Sequence, residues 1–363
     1  MTDQIDVPAP DVAASRVPVL VEPFAGFRSF PTHHCVTGSM RHTYQLMGRD
    51  VSEELLIGLG AGVGFVYWQQ SGQLPFLGGR ANTGRPGEEG LERLAGRRTG
   101  VNVTRHATSS AHKAESELVA DLLVGRPAML QVDMGLLPYF DFPAEYHFGG
   151  HVVAVVGYDQ PKRTVLVCDR DTELHPVSLE ALAASRGSRF QPFPPRHGSW
   201  TFDFANQRAP QPDEVREAIG EAARAMLQPP IGNLGVRGIR KTAEMLPRWA
   251  STLGAELLPE ACFNGYLMID AVGGTGGGMF RSMYSRFLDE AAGITGDPAL
   301  AEIGAQFRLA GDRWQEVAAQ FRTAHRATDP TGPLAEIPPL LHAIADIEEA
   351  AWADLLAVGR PSR

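Results

Sequence analysis

The chain has 363 residues, and 33 lysines and arginines against 42 aspartates and glutamates give it a formal net charge of −9. This length suggests two domains, or one domain with a large appendage. Hydrophobic residues make up 44% and charged residues 21%, which excludes disorder over most of the chain. No basic run with interleaved aromatic residues occurs, so we expect no nucleic-acid partner. The three cysteines, Cys35, Cys168 and Cys262, are far apart and form no CxxC pair, which excludes a disulfide framework or a cysteine-rich zinc site and suits a reducing cytoplasm.

No segment has the composition of a targeting sequence or a membrane span. Residues 1–16 have acidic residues near Met1 and no apolar core, so we interpret them as a mobile leader and not as a signal peptide. The longest uncharged stretch, residues 55–79, is interrupted by glycines, glutamines and Pro75. We therefore expect a cytoplasmic protein with no membrane partner.

The first half of the chain alternates short apolar runs with breakers, which is typical of an α+β domain. Periodicity predicts a helix over 36–47 that ends at Gly48, and Ser52 is placed to cap a second helix. Further along, the pattern predicts a strand over 101–106, a helix over 111–125, and strands over 128–134, 151–159, 164–171 and 199–204.

From Pro212 onward the pattern becomes almost entirely helical. The predicted helices span 212–227, 236–253, 279–293, 298–325 and 333–357. We therefore predict an α+β domain over 17–207 and a mainly helical C-terminal domain over 208–363.

Cys35 is the first candidate for chemistry, because it stands at the start of a predicted helix and next to His33 and His34. Free amide groups and the helix dipole at such a position stabilise a thiolate. The alternative is a small buried hydrophobic residue, which is the interpretation we prefer for Cys168 and Cys262.

His151 and Asp169 strengthen the case for Cys35. His151 begins a very apolar strand, and Asp169 follows the next strand, which a short connection over 160–163 joins to the first. In an antiparallel pair the start of one strand lies beside the end of the next, so Asp169 can orient the His151 ring. Asp171 is the competing orienting carboxylate. A cysteine nucleophile, a histidine base and a carboxylate are the groups that thiol acyl-transfer chemistry requires.

Other kinds of site are disfavoured. The glycines of 58–64 follow a predicted helix and do not complete GxGxxG, so they do not indicate dinucleotide binding. The Gly-rich segment 273–278 could cradle a phosphate but is more typical of a hinge or tight turn at a domain contact. A zinc site is disfavoured because no HxxxH or HExxH motif lies on a helix, although several histidines are present: His33, His34, His42, His147 and His151.

Several motifs resemble the butirosin-biosynthesis protein H family. HHCVTGSMRHTYQLMG (33–48), SEELLIGLGAGVGFVYW (52–68) and GGR (78–80) are similar to its N-terminal domain. GGTGGGMFRSMYSRFLDEAA (273–292) and LAGDRWQEVA (309–318) are similar to the helical domain of unknown function that usually accompanies it. GGHVVAVVGYD and VLVCDRD also resemble the histidine and aspartate strands of papain-like peptidases.

The resemblance implies a papain-like cysteine fold and acyl transfer from a carrier-protein thioester to an amine, which in butirosin-type pathways belongs to an aminoglycoside. Cys35, His151 and Asp169 would then be the catalytic residues. Papain-like peptidases have an oxyanion-stabilising glutamine six residues before the nucleophile, and here that residue is Ser29. The Ser29 hydroxyl, the His34 ring or the Cys35 backbone N–H could replace it, and Gly150 and Tyr146 complete the predicted oxyanion and substrate-binding set.

The predicted donor is an acyl carrier protein that presents its substrate on phosphopantetheine, and the predicted acceptor is a small-molecule amine. We expect no metal or other cofactor, and a homo-oligomer is left open. A basic patch for the carrier is predicted at Arg237, Arg240, Lys241 and Arg248. The alternatives are a cysteine hydrolase acting as a thioesterase or peptidase, a lactam-forming cyclase, and a binding protein with an inactive papain-like fold.

Overall fold

The computed structural model describes residues 24, 26–70, 73–83, 89–191 and 193–358. The predicted leader, residues 1–16, lies outside the described residues. The first half contains α1 (Cys35–Leu46), α2 (Glu53–Leu59), β1 (Val63–Trp68), β2 (Phe76–Arg80), α3 (Leu91–Arg98), β3 (Asn102–His106), α4 (Ala111–Leu123), β4 (Ala128–Val132), β5 (His151–Asp159), β6 (Thr164–Cys168), β7 (Leu174–Ser178), α5 (Leu179–Arg186) and β8 (Ser199–Asp203). The second half contains α6 (Pro212–Leu227), α7 (Gly235–Met245), α8 (Trp249–Ile269), α9 (Arg281–Thr295), α10 (Ala299–Arg326), α11 (Thr331–Ala335) and α12 (Ile337–Val358).

The main sheet has six strands in the order β3-β8-β4-β5-β6-β7, and every neighbouring pair is antiparallel. Successive side chains of a strand point to opposite faces, so Val152 and Val153 of β5 enter different cores. Val153 packs in one cluster with Leu118 of α4 and Leu182 of α5, whereas Val152 shares the other cluster with Met40 of α1. Both faces of β5 are covered, which explains why its sequence is a nearly continuous apolar run. On one of these faces it packs against α1.

The largest hydrophobic core contains residues from both sides of the predicted boundary at 207/208. The β1–β2 hairpin lies outside the main sheet, and Val66 of β1 forms a bridge with Leu234 just before α7. A Cβ on Gly58 of α2 would lie 2.2 Å from the Phe287 ring of α9, so this glycine permits close packing of the two helices. The helical half therefore packs directly on α2 and on the hairpin.

A buried ion pair also joins the two halves. The Arg281 guanidinium donates to both Glu348 carboxylate oxygens, at 2.8 and 2.7 Å, and to the Gly64 carbonyl oxygen at 2.7 Å. Trp314 donates to the same carboxylate at 2.9 Å. Arg281 and Glu348 are both fully buried, so the pair depends on these additional hydrogen bonds to offset the loss of hydration.

The structure confirms the α+β and helical order of the elements and differs in particular places. β1, β2, β7, α3 and α5 were not predicted. The helix predicted over 236–253 is interrupted at residues 246–248, where Pro247 lacks the N–H that an uninterrupted helix needs. The chain then continues as α8 to Ile269, with a kink at Gly254, whose φ is +71°.

Candidate active site

Cys35 is the first residue of α1, and the loop before it is held by a buried carboxylate. Glu53 accepts the backbone N–H groups of His33 and His34 at 2.8 and 3.1 Å. Burial raises the pKa of Glu53 to about 7, and these two amide donors oppose the shift. A Cβ on Gly38 would lie 2.4 Å from the Thr32 hydroxyl oxygen, so glycine lets the loop pass close to the first turn of α1. The Cys35 thiol is thereby fixed at the helix N-terminus.

His151 is the first residue of β5, and Asp169 directly follows β6, as the antiparallel pairing predicts. His151 Nε2 lies 2.8 Å from Asp169 Oδ2, and Tyr139 donates its hydroxyl to the same oxygen at 2.9 Å. The other side of the His151 ring is hydrogen-bonded to the Cys35 thiol, which leaves Nδ1 as the nitrogen that faces the sulfur. The three groups form one hydrogen-bonded chain.

The charges of this chain support one another. Burial raises the pKa of the Cys35 thiol, but the hydrogen bond and positive charge of His151, followed by the charges of Arg170 and Arg80, lower it below the usual value overall. Burial lowers the pKa of His151, but Asp169 and Cys35 raise it to about 9. The arrangement therefore favours a thiolate and an imidazolium at neutral pH.

Asp171, the competing carboxylate, lies elsewhere. Its two oxygens are each 3.0 Å from Nε2 of His175, four residues away. The geometry therefore brings Asp169 and not Asp171 to His151.

The hydroxyl of Ser29, which was predicted to replace the missing glutamine, is bonded elsewhere in the structure. Its hydroxyl donates to the Asp171 carbonyl oxygen at 2.6 Å and lies 3.0 Å from the Cys168 sulfur. The hydroxyl proton is therefore directed towards the chain after β6 and not towards Cys35. The expectation that Ser29 donates to an oxyanion finds no support in this geometry and stays a prediction.

The His34 ring is also occupied. Arg80 donates through Nη1 to His34 Nε2 at 2.9 Å, and a guanidinium can only donate, so Nε2 is an acceptor. Burial, followed by the charges of Arg80 and Arg170, holds the pKa of His34 well below its usual value. The neutral ring then has its proton on Nδ1, which donates to the Thr37 hydroxyl oxygen at 3.0 Å. In this tautomer the 3.4 Å approach of the Thr37 backbone N–H to Nδ1 is not a hydrogen bond, and no ring N–H remains for an oxyanion.

Gly150 and Tyr146 lie in the loop that leads into β5. Burial raises the pKa of the Tyr146 phenol. The positive charge of Arg170 opposes this rise. A Cβ on Gly150 would lie 2.9 Å from the Phe148 ring. Their role in binding substrate stays a prediction.

Three residues near the site were missed by sequence reasoning: Arg170, Arg80 and Tyr139. Arg170 directly follows Asp169, and Arg80 ends the GGR motif, so both were visible as neighbours of recognised residues. Tyr139 is 30 positions before Asp169, and no local signal connects the two.

The Gly-rich segment 273–278 is a turn at the contact between the two halves. Gly274, Gly276, Gly277 and Gly278 all have positive φ. A Cβ on Gly276 would lie 3.4 Å from the His33 side chain, so the segment packs against the loop that precedes α1.

The other predicted features have ordinary packing roles. Burial raises the pKa of Cys168 to about 12 and that of Cys262 to about 11, so neither thiol is activated. In the predicted basic patch, Arg240 pairs with Asp346 at 2.8 Å and with Glu349 at 2.7 Å. These two carboxylates largely neutralise the charge of Arg240. Lys241 donates to the Asn233 side chain at 2.6 Å. The patch is therefore less basic than the sequence suggests.

The described residues contain no group of three or more histidine, cysteine, aspartate or glutamate side chains placed to hold a metal ion. In that same part of the chain, no helix is both long and apolar enough to cross a membrane. Fold and site thus define an α+β protein with a cysteine at a helix start, hydrogen-bonded to a histidine and an aspartate on an antiparallel sheet.

The comparison with protein families agrees with the resemblance in the sequence. Residues 34–170 match the family described as butirosin biosynthesis protein H, N-terminal, and residues 180–355 match a domain of unknown function (DUF4872). The chain thus carries a region that matches this N-terminal domain, followed by a region that matches the second domain. A search of curated proteins found no match.

Proposed function

We propose that the chain is an acyltransferase with a papain-like fold, which moves an acyl or aminoacyl group from a carrier-protein thioester through Cys35 to an amine and forms an amide. The observation that supports this most strongly is the hydrogen-bonded chain of Cys35, His151 and Asp169 at the start of α1. The family assignment supports a role in the biosynthesis of an antibiotic-like natural product.

In the first half-reaction, the Cys35 thiolate attacks the carbonyl carbon of the donor thioester. A new C–S bond forms, and the carbonyl electron pair moves to oxygen. When this pair returns, the bond to the phosphopantetheine sulfur breaks, and the leaving thiolate takes the proton from the His151 imidazolium. Asp169 and the Tyr139 hydroxyl bonded to it hold the ring in place through both proton transfers.

In the second half-reaction, the amine attacks the Cys35 thioester. The neutral His151 ring accepts the proton of the amine, the amide forms, and the Cys35 thiolate is released. Acylation removes the thiolate charge that helps to raise the pKa of His151, so this pKa falls and the ring is more readily neutral at the step in which it must accept a proton.

Water must be kept from the acyl-enzyme, because hydrolysis would waste the thioester. The neighbouring side chains support such exclusion, since His151 is 2% exposed and Asp169 is 5% exposed. The Phe280 ring packs edge-on against the His34 ring next to Cys35. The helical half therefore also contributes side chains that surround the site.

Intact-mass spectrometry after incubation with acyl-pantetheine thioesters tests the proposal. We expect a mass gain of one acyl group in the wild type, none in Cys35→Ala, and a normal gain in Cys262→Ala, which removes a buried thiol of raised pKa. Added amines should remove the adduct and yield amide.

The other outcomes distinguish the alternatives. An adduct that water removes as fast as amines do would indicate a thioesterase or peptidase. Release of a cyclic product from a donor with an internal amine would indicate a lactam cyclase. No adduct with any thioester would contradict the proposed function.

A further inference from the structure

The proposed acyl transfer creates a negative oxygen beside Cys35, and this oxyanion needs donors. The Cys35 backbone N–H is free at the start of α1, and none of the described hydrogen bonds occupies it. Sites of this type use at least one further donor. The hydroxyl of Ser29 and the ring of His34 are both engaged elsewhere.

Arg170 lies next to the loop that leads into Cys35. Its carbonyl oxygen accepts the Thr32 backbone N–H at 3.1 Å, which fixes its backbone beside this loop. Its guanidinium and this loop both approach Gly274, because a Cβ on that glycine would lie 2.8 Å from Arg170 Nη1 and 3.5 Å from the His33 carbonyl oxygen. The guanidinium is thus held near His33, two residues before Cys35.

Most of the donors of this guanidinium are unused. Its one described side-chain hydrogen bond is the donation of Nη1 to the Val272 carbonyl oxygen at 3.3 Å, and none of the ion pairs among the described residues includes it. An arginine has five N–H donors. Arg80, the other cation near Cys35, already donates to His34.

We propose that Arg170 is a catalytic residue that donates to the oxyanion together with the backbone N–H of Cys35. The inference rests on the proposed acyl transfer. As the Cys35 C–S bond forms, the carbonyl electron pair moves onto the oxygen, and the guanidinium stabilises that charge without giving up a proton. When the pair returns, the bond to the donor sulfur breaks.

This assignment gives the Gly-rich segment a function. The Val272 carbonyl oxygen anchors the guanidinium, and Gly274, with φ +85°, leaves the space that a side chain would take from it. The helical half therefore positions a residue that belongs to the α+β half.

Two reactions of the same thiol separate this role from a general effect on the thiolate. Acylation by an acyl-pantetheine thioester passes through an oxyanion, whereas alkylation by iodoacetamide displaces iodide from a saturated carbon and does not. We expect Arg170→Gln to slow acylation by about 100–1000-fold. Alkylation should change by less than about tenfold, because one neighbouring charge is lost.

Matched variants sharpen the test. Arg80→Gln also removes a positive charge near Cys35, and it should change the two rates by similar factors. Arg313→Gln, whose exposed side chain pairs with Glu316, should change neither. Gly274→Ala keeps the arginine and displaces it, so it should slow acylation more than alkylation and serves if Arg170→Gln fails to fold.

Equal slowing of both reactions in Arg170→Gln would overturn the assignment, because Arg170 would then act only on the thiolate. Selective slowing in Arg80→Gln instead would also overturn it. A wild-type protein that is alkylated but never acylated would contradict the proposed function itself, a result that differs from failure of the variant alone.

Discussion

Two histidine–aspartate pairs lie at the ends of the main-sheet strands β4, β5 and β6, and they differ in what surrounds the carboxylate. In His151–Asp169, the described hydrogen bonds of the carboxylate all go to Oδ2, and Oδ1 is buried without a partner. In His147–Asp133, both oxygens are saturated: the histidine Nδ1 and the Ser188 hydroxyl bond to Oδ2 at 3.0 and 2.6 Å, and two backbone amides donate to Oδ1. The second carboxylate therefore holds its loop together.

The difference shows that a histidine–aspartate pair alone does not mark an active site. The Ser188 hydroxyl donates to Asp133 and not to His147, so no nucleophile is activated there. The His147 ring instead stacks on Phe190. In the other pair, the side of the His151 ring that faces away from Asp169 is hydrogen-bonded to the Cys35 thiol at the start of α1. The proposed catalytic pair therefore differs from the structural pair in having a thiol hydrogen-bonded to the second nitrogen of its histidine ring.

The largest expected effect separates the two histidines. His151→Gln should reduce the rate of Cys35 acylation by about 10⁴-fold or more, because the proton acceptor and donor is lost. His147→Gln keeps a donor towards Asp133 and should acylate at close to the wild-type rate. Single-turnover kinetics with an acyl-pantetheine thioester measure both. Equal losses in the two variants would remove the distinction between the pairs.

Much of the proposed catalytic pair could be predicted because its geometry is local. β5 has the predicted bounds, 151–159, and a short connection brings the residues after β6 back beside His151. The choice between Asp169 and Asp171 could not be made, because β6 ends at Cys168 and not at the predicted residue 171. The assignment to papain-like folds stays a prediction.

The remainder of the site depends on contacts between distant segments. Arg80 reaches His34 from the unpredicted strand β2, and the Gly-rich segment reaches Arg170 across about a hundred positions of sequence. Which ring nitrogen of His34 carries the proton depends on the Arg80 contact, and periodicity contains no such information. The oxyanion donors were therefore the least predictable part of the site.

The second prediction compares the two carboxylates. Asp169→Asn should lower the acylation rate by about 10²–10⁴-fold, because the His151 ring loses the charge that stabilises its imidazolium. Asp133→Asn should lower the free energy of unfolding by about 1–3 kcal/mol, because at least one buried donor loses its partner. Urea unfolding and acylation rates corrected for folded protein measure these effects. A large loss of activity in folded Asp133→Asn would contradict the structural role.

The smallest expected effect is a shift along the pH axis. The lowered pKa of Cys35 keeps the thiolate populated as pH falls below the ordinary thiol pKa, so alkylation by iodoacetamide should decline only at more acidic pH. Towards high pH, the His151 imidazolium is lost near its pKa of about 9, and the thiolate loses the charge that stabilises it.

The two histidines again give the control for this measurement. In His151→Gln, burial is no longer opposed by the hydrogen bond and charge of the ring, so the alkylation midpoint should move to higher pH. His147→Gln should keep the wild-type midpoint, because its ring faces Asp133 and Phe190 and not a thiol. Peptide mapping must assign the adduct to Cys35, although the raised pKa values of Cys168 and Cys262, about 12 and 11, should keep them unmodified. A wild-type midpoint at the ordinary thiol pKa would show that no thiolate–imidazolium pair forms, and the two histidine–aspartate pairs would then differ in packing alone.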